Sequence, residues 1–246
     1  MGASAARSLA VRGLRVLALD QYGPANSFAS SWGQTRIFRK AYFEDERYIP
    51  FLFASERLWQ QLENQLRAEL LVKTGLLVMS QDLAKSVGAG ILDNAKKYKI
   101  AIEKMTAVQI MKRWPQFKVQ APLEGVFEAQ AGFIHVERAI SGICALAQSA
   151  GAILRYPEKV TAIDLAQTVT VRTDRGVYEA SRLVVTAGAW MQAMLPQLQM
   201  KLQIQKAPVF WLKPLERDRQ LPCFAFTDHG RFIYGFPSLG EGIKIA

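Results

Sequence analysis

The sequence predicts a mixed α/β fold, in which helices alternate with both parallel and antiparallel strands. The first of three observations behind this prediction is a short helical stretch that runs through Gly13 into an apolar strand. Helical and strand patterns then alternate up to about residue 152, and the rest of the chain is rich in strands. With 246 residues, 50% hydrophobic and 21% charged, the chain can bury a substantial core.

The opening segment has the pattern of the second half of a βαβ unit. Residues 3–10 suit a helix, and residues 14–20 form a short apolar strand that ends at Asp20. In a Rossmann-like unit the helix N-terminus faces a pyrophosphate, and such an acid hydrogen-bonds the ribose. Only Gly2 is left of the glycine fingerprint, so this unit is predicted to be incomplete. Any helix followed by a strand can give the same pattern, which leaves dinucleotide binding open here.

The later elements follow from periodicity and turn residues. Helices are predicted at 46–71, 82–98, 106–117 and 137–152, with strands at 74–81, around 126–136 and repeatedly from 153 onward. No linker or repeat separates two lobes. We therefore expect interleaved domains, a Rossmann-like one at 1–73 and 132–200 and a mostly antiparallel one at 74–131 and 201–246.

Composition excludes several classes of protein. No apolar run is long enough to span a membrane and no secretory signal is visible, so a cytoplasmic location is expected. The net charge of +10 comes from scattered basic residues, which favours pockets for small anions over nucleic-acid binding. His135 and His229 lack acidic or cysteine partners, so no metal site is predicted. Cys144 and Cys223 are interpreted as buried thiols.

Three stretches could carry chemistry. In SSWGQTRIFRKAY, at 30–42, Arg36 and Arg39 offer permanent charges and bidentate forks for a carboxylate or an electron-rich ring, although such a pair is more often a solvated face. In RLVVTAGAW, at 182–190, an apolar strand runs into small residues that would let a nucleotide approach, or that simply form a tight turn. In RFIYGFPSLGEGIKIA, at 231–246, a hairpin carries Lys244.

Taken together, these stretches resemble one family. GQTRIFRKAY, VERAI, LVVTAGAW and YGFPSLGEGIK occur in the order found in the monomeric sarcosine oxidase and N-methyltryptophan oxidase family, which also includes pipecolate oxidases. LAVRGLRVLALDQ, KTGLLV, KRWP and FEAQAG add smaller matches, so the resemblance spans nearly the whole chain.

The resemblance implies an FAD-dependent oxidoreductase with an FAD-binding domain and a substrate domain. Such an enzyme oxidises the C–N bond of a small secondary amino acid to an imine, and O2 is reduced to H2O2. A monomer without a nucleic-acid or membrane partner is implied. Alternatives are an FAD-dependent amino acid dehydrogenase or deaminase of the same superfamily, and a non-catalytic remnant.

The resemblance also assigns roles to individual residues. Arg36 matches the arginine against the flavin, and Lys244 the lysine that promotes reaction with oxygen through its fixed charge. Arg39 matches the residue that grips the substrate carboxylate, and Tyr42 and Tyr234 the aromatic residues near the substrate. The residues matched to the dinucleotide site are Gly2, Asp20, Val160, Thr186, Ala187 and Gly188.

Departures from the family pattern limit the resemblance. Trp32 stands where the sarcosine oxidases have a histidine beside the flavin. Neither Cys144 nor Cys223 lies at the position that links covalently to the flavin. Compared with the family, the chain is expected to be cut short at both ends, and alone it is expected to bind FAD poorly.

Overall fold

The computed structural model describes residues 1–213, 221–228 and 231–246, and it confirms the mixed α/β class. The chain divides into two compact units. Unit 1 contains Met1–Gln34 and Val136–Lys206, and unit 2 contains Thr35–His135 and Ala207–Ala246. The expected interleaving is present, but residues 35–73, expected in the Rossmann-like domain, belong to unit 2. Residues 132–135, expected in the same domain, also belong to unit 2. They pair with two strands of residues 35–73, and Phe133 packs in one core cluster with Leu76 and Val78, which holds all these strands in unit 2.

The helices are α1 (Gly2–Val11), α2 (Ile49–Leu66), α3 (Val87–Tyr98), α4 (Ala107–Arg113), α5 (Val136–Ser149) and α6 (Met191–Met194). The strands up to the middle of the chain are β1 (Leu17–Leu19), β2 (Thr35–Phe38), β3 (Leu71–Val72), β4 (Leu76–Ser80), β5 (Glu103–Thr106), β6 (Glu124–Glu128) and β7 (Gly132–His135). The later strands are β8 (Ile153–Arg155), β9 (Val160–Leu165), β10 (Val169–Thr173), β11 (Val177–Ala180), β12 (Phe210–Leu212), β13 (Cys223–Asp228), β14 (Arg231–Phe236) and β15 (Ile243–Ile245). None of the described helices is both long and apolar enough to cross a membrane.

Unit 1 has a parallel pair of strands, as a βαβ unit requires. β1 pairs with β8 from Leu17↔Ile153 to Leu19↔Arg155, and α1 packs against α5. Small side chains let these two helices approach closely, since Ala6, Ala10 and Ala147 are buried between them. β9, β10 and β11 form a separate antiparallel sheet.

One predicted strand of unit 1 is not formed. Residues 182–186 were expected to be an apolar strand, but they have no regular secondary structure, and Val184 is 58% exposed. A strand needs a hydrogen-bonded neighbour, and no described strand pairs with this segment. The prediction of a strand at this point was therefore wrong.

Unit 2 is built on a larger and mostly antiparallel sheet. Its strand order is β12-β15-β14-β13-β4-β6-β5, in which only the β4–β13 pair is parallel among the described strands. β4 is buried on both faces, which explains its unbroken apolar run. Leu76 and Val78 belong to one core cluster, and Leu77 and Met79 belong to the other.

A second sheet of unit 2 carries the arginine stretch. It has the order β2-β7-β3, and Arg36 in β2 lies opposite Ile134 in β7. Phe133 of β7 is almost fully buried in the first core cluster. The arginine stretch therefore starts from a strand that is anchored in the main core of unit 2.

Candidate functional site

Two of the predicted site residues meet at one backbone carbonyl. Arg36 Nη1 donates a hydrogen bond of 2.7 Å to the carbonyl oxygen of Thr35, and Lys244 Nζ donates one of 2.8 Å to the same oxygen. The residues lie far apart in the sequence but in the same unit. Two basic side chains, one of them a permanently charged guanidinium, share one neutral acceptor, which makes this part of unit 2 suitable for an anion or an electron-rich ring.

The burial of Lys244 follows from its strand. β15 pairs with β14 so that Lys244 lies opposite Phe236, and the Lys244 ammonium lies 4.1 Å from the centre of the Phe236 ring. Lys244 is only 3% exposed. A lysine with so little exposure differs from the solvent-exposed lysines that are usual on a hairpin.

Arg39 lies just beyond the end of β2 and has different partners. Its Nη2 atom contacts both carboxylate oxygens of Glu44, at 2.6 and 2.8 Å. Its guanidinium lies 4.6 Å from the centre of the Tyr42 ring and 4.7 Å from that of Phe43. The Arg39 Nε atom is buried without a hydrogen-bond partner. Arg39 thus already holds a carboxylate, and that carboxylate belongs to this chain.

A row of aromatic side chains extends from Phe43, which contacts Arg39, to Phe236, which contacts Lys244. Successive ring centres are 6.2 Å apart for Phe43 and Phe232, 5.9 Å for Phe232 and Tyr234, and 6.0 Å for Tyr234 and Phe236. Tyr42 belongs with this group, since it packs with Tyr234 against the same core cluster. The predicted aromatic residues therefore lie in the same region of unit 2 as the predicted cations.

Burial raises the pKa of the Tyr42 phenol, and the negative charge of Glu44 raises it further, while Arg39 acts in the opposite direction. The phenol consequently remains protonated at neutral pH. Tyr42 can donate a hydrogen bond there but cannot act as a phenolate base.

The backbone after Arg39 is held by residues that sequence reasoning missed. Glu128, at the end of β6, accepts hydrogen bonds from the backbone amides of Lys40 and Ala41 at 2.9 and 3.0 Å. The Asn94 side-chain amide of α3 donates one of 2.6 Å to the Tyr42 carbonyl. The available signal for Glu128 was a carboxylate within the FEAQAG motif, directly after the apolar residues Val126 and Phe127.

Lys40 turns its side chain away from Glu128 to a second buried carboxylate. Its Nζ atom lies 2.9 Å from Glu56, which also contacts Lys73 at 2.8 Å. Burial alone would raise the pKa of Glu56, but the hydrogen bonds from Lys73 and Lys40 outweigh it and lower that pKa. The charge of Lys40 is therefore neutralised within the core of unit 2.

The predicted dinucleotide residues lie in unit 1. Gly2 is the first residue of α1, and a Cβ added there would come within 2.7 Å of the Thr186 hydroxyl oxygen. Only a residue without a side chain permits this approach. At the end of β1, Asp20 Oδ1 accepts the amides of Tyr22 and Gly23, both at 2.8 Å.

The remaining predicted contacts of unit 1 are backbone positions. Val160 begins β9 and is half-buried, while Ala187 precedes a turn of 3-10 helix at Gly188–Trp190. Gly188 has φ +54°, the left-handed region that favours glycine.

Unit 2 has at least two open cavities that are lined by described residues. The larger, of about 860 Å³, is lined by residues 81–84, 106–108 and 119–124 with Met111, and it contains none of the predicted site residues. The smaller, of about 400 Å³, is lined by Phe43, Glu44, Val87, Thr227, Arg231 and Phe232. Because Phe43 and Glu44 both contact Arg39, the smaller cavity is the one next to the candidate site.

Neither cysteine has the character of a reactive group. Burial raises the pKa of Cys223 to about 12, and burial also raises that of Cys144. Within the described part of the chain, no cluster of three or more histidine, cysteine or acidic side chains could hold a metal ion. His229 lies outside the described residues.

Comparison with known proteins gives a family match over the whole chain. The sequence pattern of the DAO family, described as FAD dependent oxidoreductase, matches residues 1–246. Monomeric sarcosine oxidase of Streptomyces avermitilis is 31% identical over 256 residues, covering 100% of this chain and 66% of that protein. N-methyl-L-tryptophan oxidase of Salmonella dublin is 31% identical over 250 residues, with the same two coverages.

Among solved structures, the chain is similar to NikD, described as an unusual amino acid oxidase essential for nikkomycin biosynthesis. The TM-score is 0.84 at 25% identity, and the match covers 99% of this chain and 66% of NikD. The chain thus spans about two thirds of the length of each of these proteins.

Proposed function

Because this chain belongs to the FAD dependent oxidoreductase family, we propose that the protein carrying it oxidises a secondary amino acid at its C–N bond. The observation that carries the proposal is the meeting of Arg36 and Lys244 on the Thr35 carbonyl. The likeness to oxidases of sarcosine and N-methyltryptophan supports the substrate class.

Residues of unit 1 fit the dinucleotide part of FAD. α1 begins at Gly2 without a side-chain cap, so the amides of its first turn can bind a pyrophosphate. Asp20 uses Oδ1 for its own turn, so we assign Oδ2 to the ribose hydroxyls. We further assign Val160, Thr186, Ala187 and Gly188 to contacts with the dinucleotide.

The reaction transfers two electrons and two protons. One C–H and one N–H bond of the substrate would break as the C–N bond becomes C=N. Bound FAD would take up the two electrons, and O2 would receive them with the two protons to give H2O2. The amine becomes an imine in the process.

Arg36 and Lys244 supply positive charge at a fixed position. Lys244 is held by a backbone carbonyl and an aromatic face in a nearly solvent-free setting, where a charge acts more strongly than in water. A preorganised cation stabilises negative charge that develops as electrons reach O2. We therefore assign Lys244 to oxygen reduction and Arg36 to the flavin.

Arg39 is assigned to the substrate carboxylate. Its guanidinium holds Glu44 in the structure, so an arriving carboxylate has to replace Glu44, whose side chain is 44% exposed and able to move into water. Tyr42 and Tyr234 provide the aromatic surroundings of the substrate, and Tyr42 can donate a hydrogen bond. The cavity of about 400 Å³ beside Phe43 offers room for the substrate's side chain.

The test uses the full-length protein loaded with FAD. Sarcosine, pipecolate or N-methyltryptophan is added without oxygen, and loss of the flavin's visible absorbance is followed by stopped flow. At least one of these amines should bleach the flavin, and those with larger side chains should react better because of the cavity. Failure of all such amines would contradict the proposed function.

The role of Lys244 is tested separately by admitting oxygen to the reduced protein. Lys244→Met should slow reoxidation about 100-fold or more and change reduction far less, because a preorganised charge contributes on this order. Lys104→Met, at an exposed position in β5 of the same sheet, is the matched control. An equal slowing of both half-reactions would remove Lys244 from the oxygen step.

A further inference from the structure

We propose that Glu128 is a positioning residue for the carboxylate grip of Arg39, an inference that rests on the proposed function. Glu128 comes from β6, a strand distant in sequence from the arginine stretch, and it touches the backbone rather than the arginine itself. It acts by fixing the chain on the C-terminal side of Arg39.

Both carboxylate oxygens of Glu128 take part in this contact. Glu128 Oε1 accepts the Lys40 amide at 2.9 Å, and Oε2 accepts the Ala41 amide at 3.0 Å. Arg39 lies between this pair of amides and Phe38, the last residue of β2. Its backbone is therefore anchored by the sheet on one side and by Glu128 on the other.

A second contact completes the positioning. The Tyr42 amide donates to the Lys40 carbonyl at 2.7 Å, which makes a tight turn, and Asn94 holds the Tyr42 carbonyl at 2.6 Å. The turn brings the Tyr42 ring against the Arg39 guanidinium. Glu128 and Asn94 thus determine the directions in which the arginine and its aromatic partner leave the backbone.

The cost of burying Glu128 indicates that a carboxylate is required at this position. The residue is only 4% exposed, and burial raises its pKa although the two amides and the charges of Lys40 and Arg39 act in the opposite direction. A glutamine offers only one acceptor oxygen, and its NH2 group would face a backbone N–H. Neither glutamine nor an apolar side chain can therefore replace both hydrogen bonds.

Unit 2 contains a matched control for a purely structural role. Glu63 of α2 accepts the successive amides of Leu70 and Leu71, both at 2.8 Å, through Oε1. This is the same chemistry, a carboxylate on two neighbouring backbone amides, but it holds the chain before β3 rather than the segment after Arg39. Because a single oxygen accepts both amides, glutamine could keep this contact, and Glu63→Leu is the variant that removes it. Glu63→Leu therefore measures what the loss of such a contact does to folding alone.

The experiment measures ligand binding in the FAD-loaded, full-length protein. Propionate, a plain carboxylate, and propionamide, its neutral analogue, are titrated while changes in flavin absorbance are recorded, with equilibrium dialysis of labelled propionate as a second readout. Glu128→Gln should raise the Kd for propionate about 10-fold or more, because a displacement of an ångström at a binding group has effects of this order. The Kd for propionamide should change less than about twofold, since this ligand lacks the charge that Arg39 recognises.

Glu63→Leu should leave both Kd values within about twofold of the wild type, and the melting temperatures show whether both variants are equally folded. If Glu128→Gln does not fold, Asn94→Ala tests the same positioning through the other contact and should raise the propionate Kd about threefold. Equal effects of Glu128→Gln and Glu63→Leu on propionate would overturn the inference, as would an unchanged Kd in Asn94→Ala when Glu128→Gln is unfolded.

Failure of the underlying function gives a different result. If Arg39→Met binds propionate as tightly as the wild type, Arg39 is not the carboxylate site, and both proposals for this segment fall. If Arg39→Met loses binding while Glu128→Gln and Asn94→Ala keep it, the assignment of Arg39 stands and only the inference on Glu128 is wrong.

Discussion

The two units are packed with different kinds of side chain. The central cluster of unit 1 is formed by Ala6, Ala10, Ala147 and Ala152, whereas unit 2 has two clusters rich in leucine, isoleucine and aromatic residues on the two faces of its large sheet. Small side chains allow α1 and α5 to approach, but they bury little apolar area per residue. Larger side chains in unit 2 remove much more apolar surface from water.

This difference in packing affects how firmly each unit holds its predicted site residues. The cations of unit 2 stand on strands whose neighbours are fully buried, so they can be held in place before any ligand arrives. The dinucleotide residues of unit 1 have exposed apolar side chains as close neighbours in sequence, Leu17 before Asp20 and Val184 before Thr186. We therefore expect unit 1 to gain more stability from a bound cofactor than unit 2 does.

The largest expected effect on stability comes from a large-to-small substitution in the core of unit 2. Ile49, which is fully buried, begins α2, and Ile49→Ala should lower the free energy of unfolding by about 2–5 kcal/mol because it leaves a cavity. In unit 1, Ala147→Gly removes a single buried methyl group from a helix and should cost about 1–2 kcal/mol. Urea denaturation measures both, and a cost for Ala147→Gly equal to that of Ile49→Ala would break the comparison.

The next effect uses one glycine from each unit. Gly75 in unit 2 and Gly151 in unit 1 have φ +77° and +91°, so alanine is strained by about 1–2 kcal/mol at either position. At Gly75 a Cβ would also come within 2.3 Å of the Phe127 ring, whereas at Gly151 nothing lies within 4 Å. Gly75→Ala should thus cost about 1–3 kcal/mol more than Gly151→Ala in thermal unfolding. Similar costs would mean that Phe127 moves aside freely.

The smallest effect is one of rate and involves the two cysteines, one in each unit. Their raised pKa values keep both thiols protonated at pH 8, and they react with a disulfide reagent only after local opening. Cys144 in unit 1 should react faster than Cys223, which is fully buried in the core of unit 2. Mass spectrometry of partly labelled protein measures the order, and faster labelling of Cys223 would reverse the comparison.

Sequence reasoning predicted the elements that depend on local pattern. Three of them are present: the helix that ends near Gly13, the helix predicted at 106–117, which ends at Arg113 before Pro115, and the hairpin that carries Lys244. They could be predicted because periodicity, capping and turn residues are local properties. The segment at 182–186 was predicted wrongly, since a strand depends on a neighbour that the local sequence cannot reveal.

In the candidate site, too, local features could be predicted from the sequence and long-range contacts could not. Arg36, Arg39 and Lys244 could be named because their residue types carry charge at recognisable motifs. The grouping of Arg36 with Lys244, the pairing of Arg39 with Glu44 and the contacts of Glu128 depend on strands that are distant in sequence. Glu128 in particular binds backbone amides, which leave no trace in the residue types around Lys40.

The parallel pairing of β4 with β13 has a consequence for how the chain is made. β4 leaves the ribosome early, but β13 follows only after the second segment of unit 1 has been synthesised. Until then one edge of β4 has no partner and can pair with other nascent chains. Translation speed and chaperone supply should therefore govern the yield of this protein in a host cell more strongly than its final stability does.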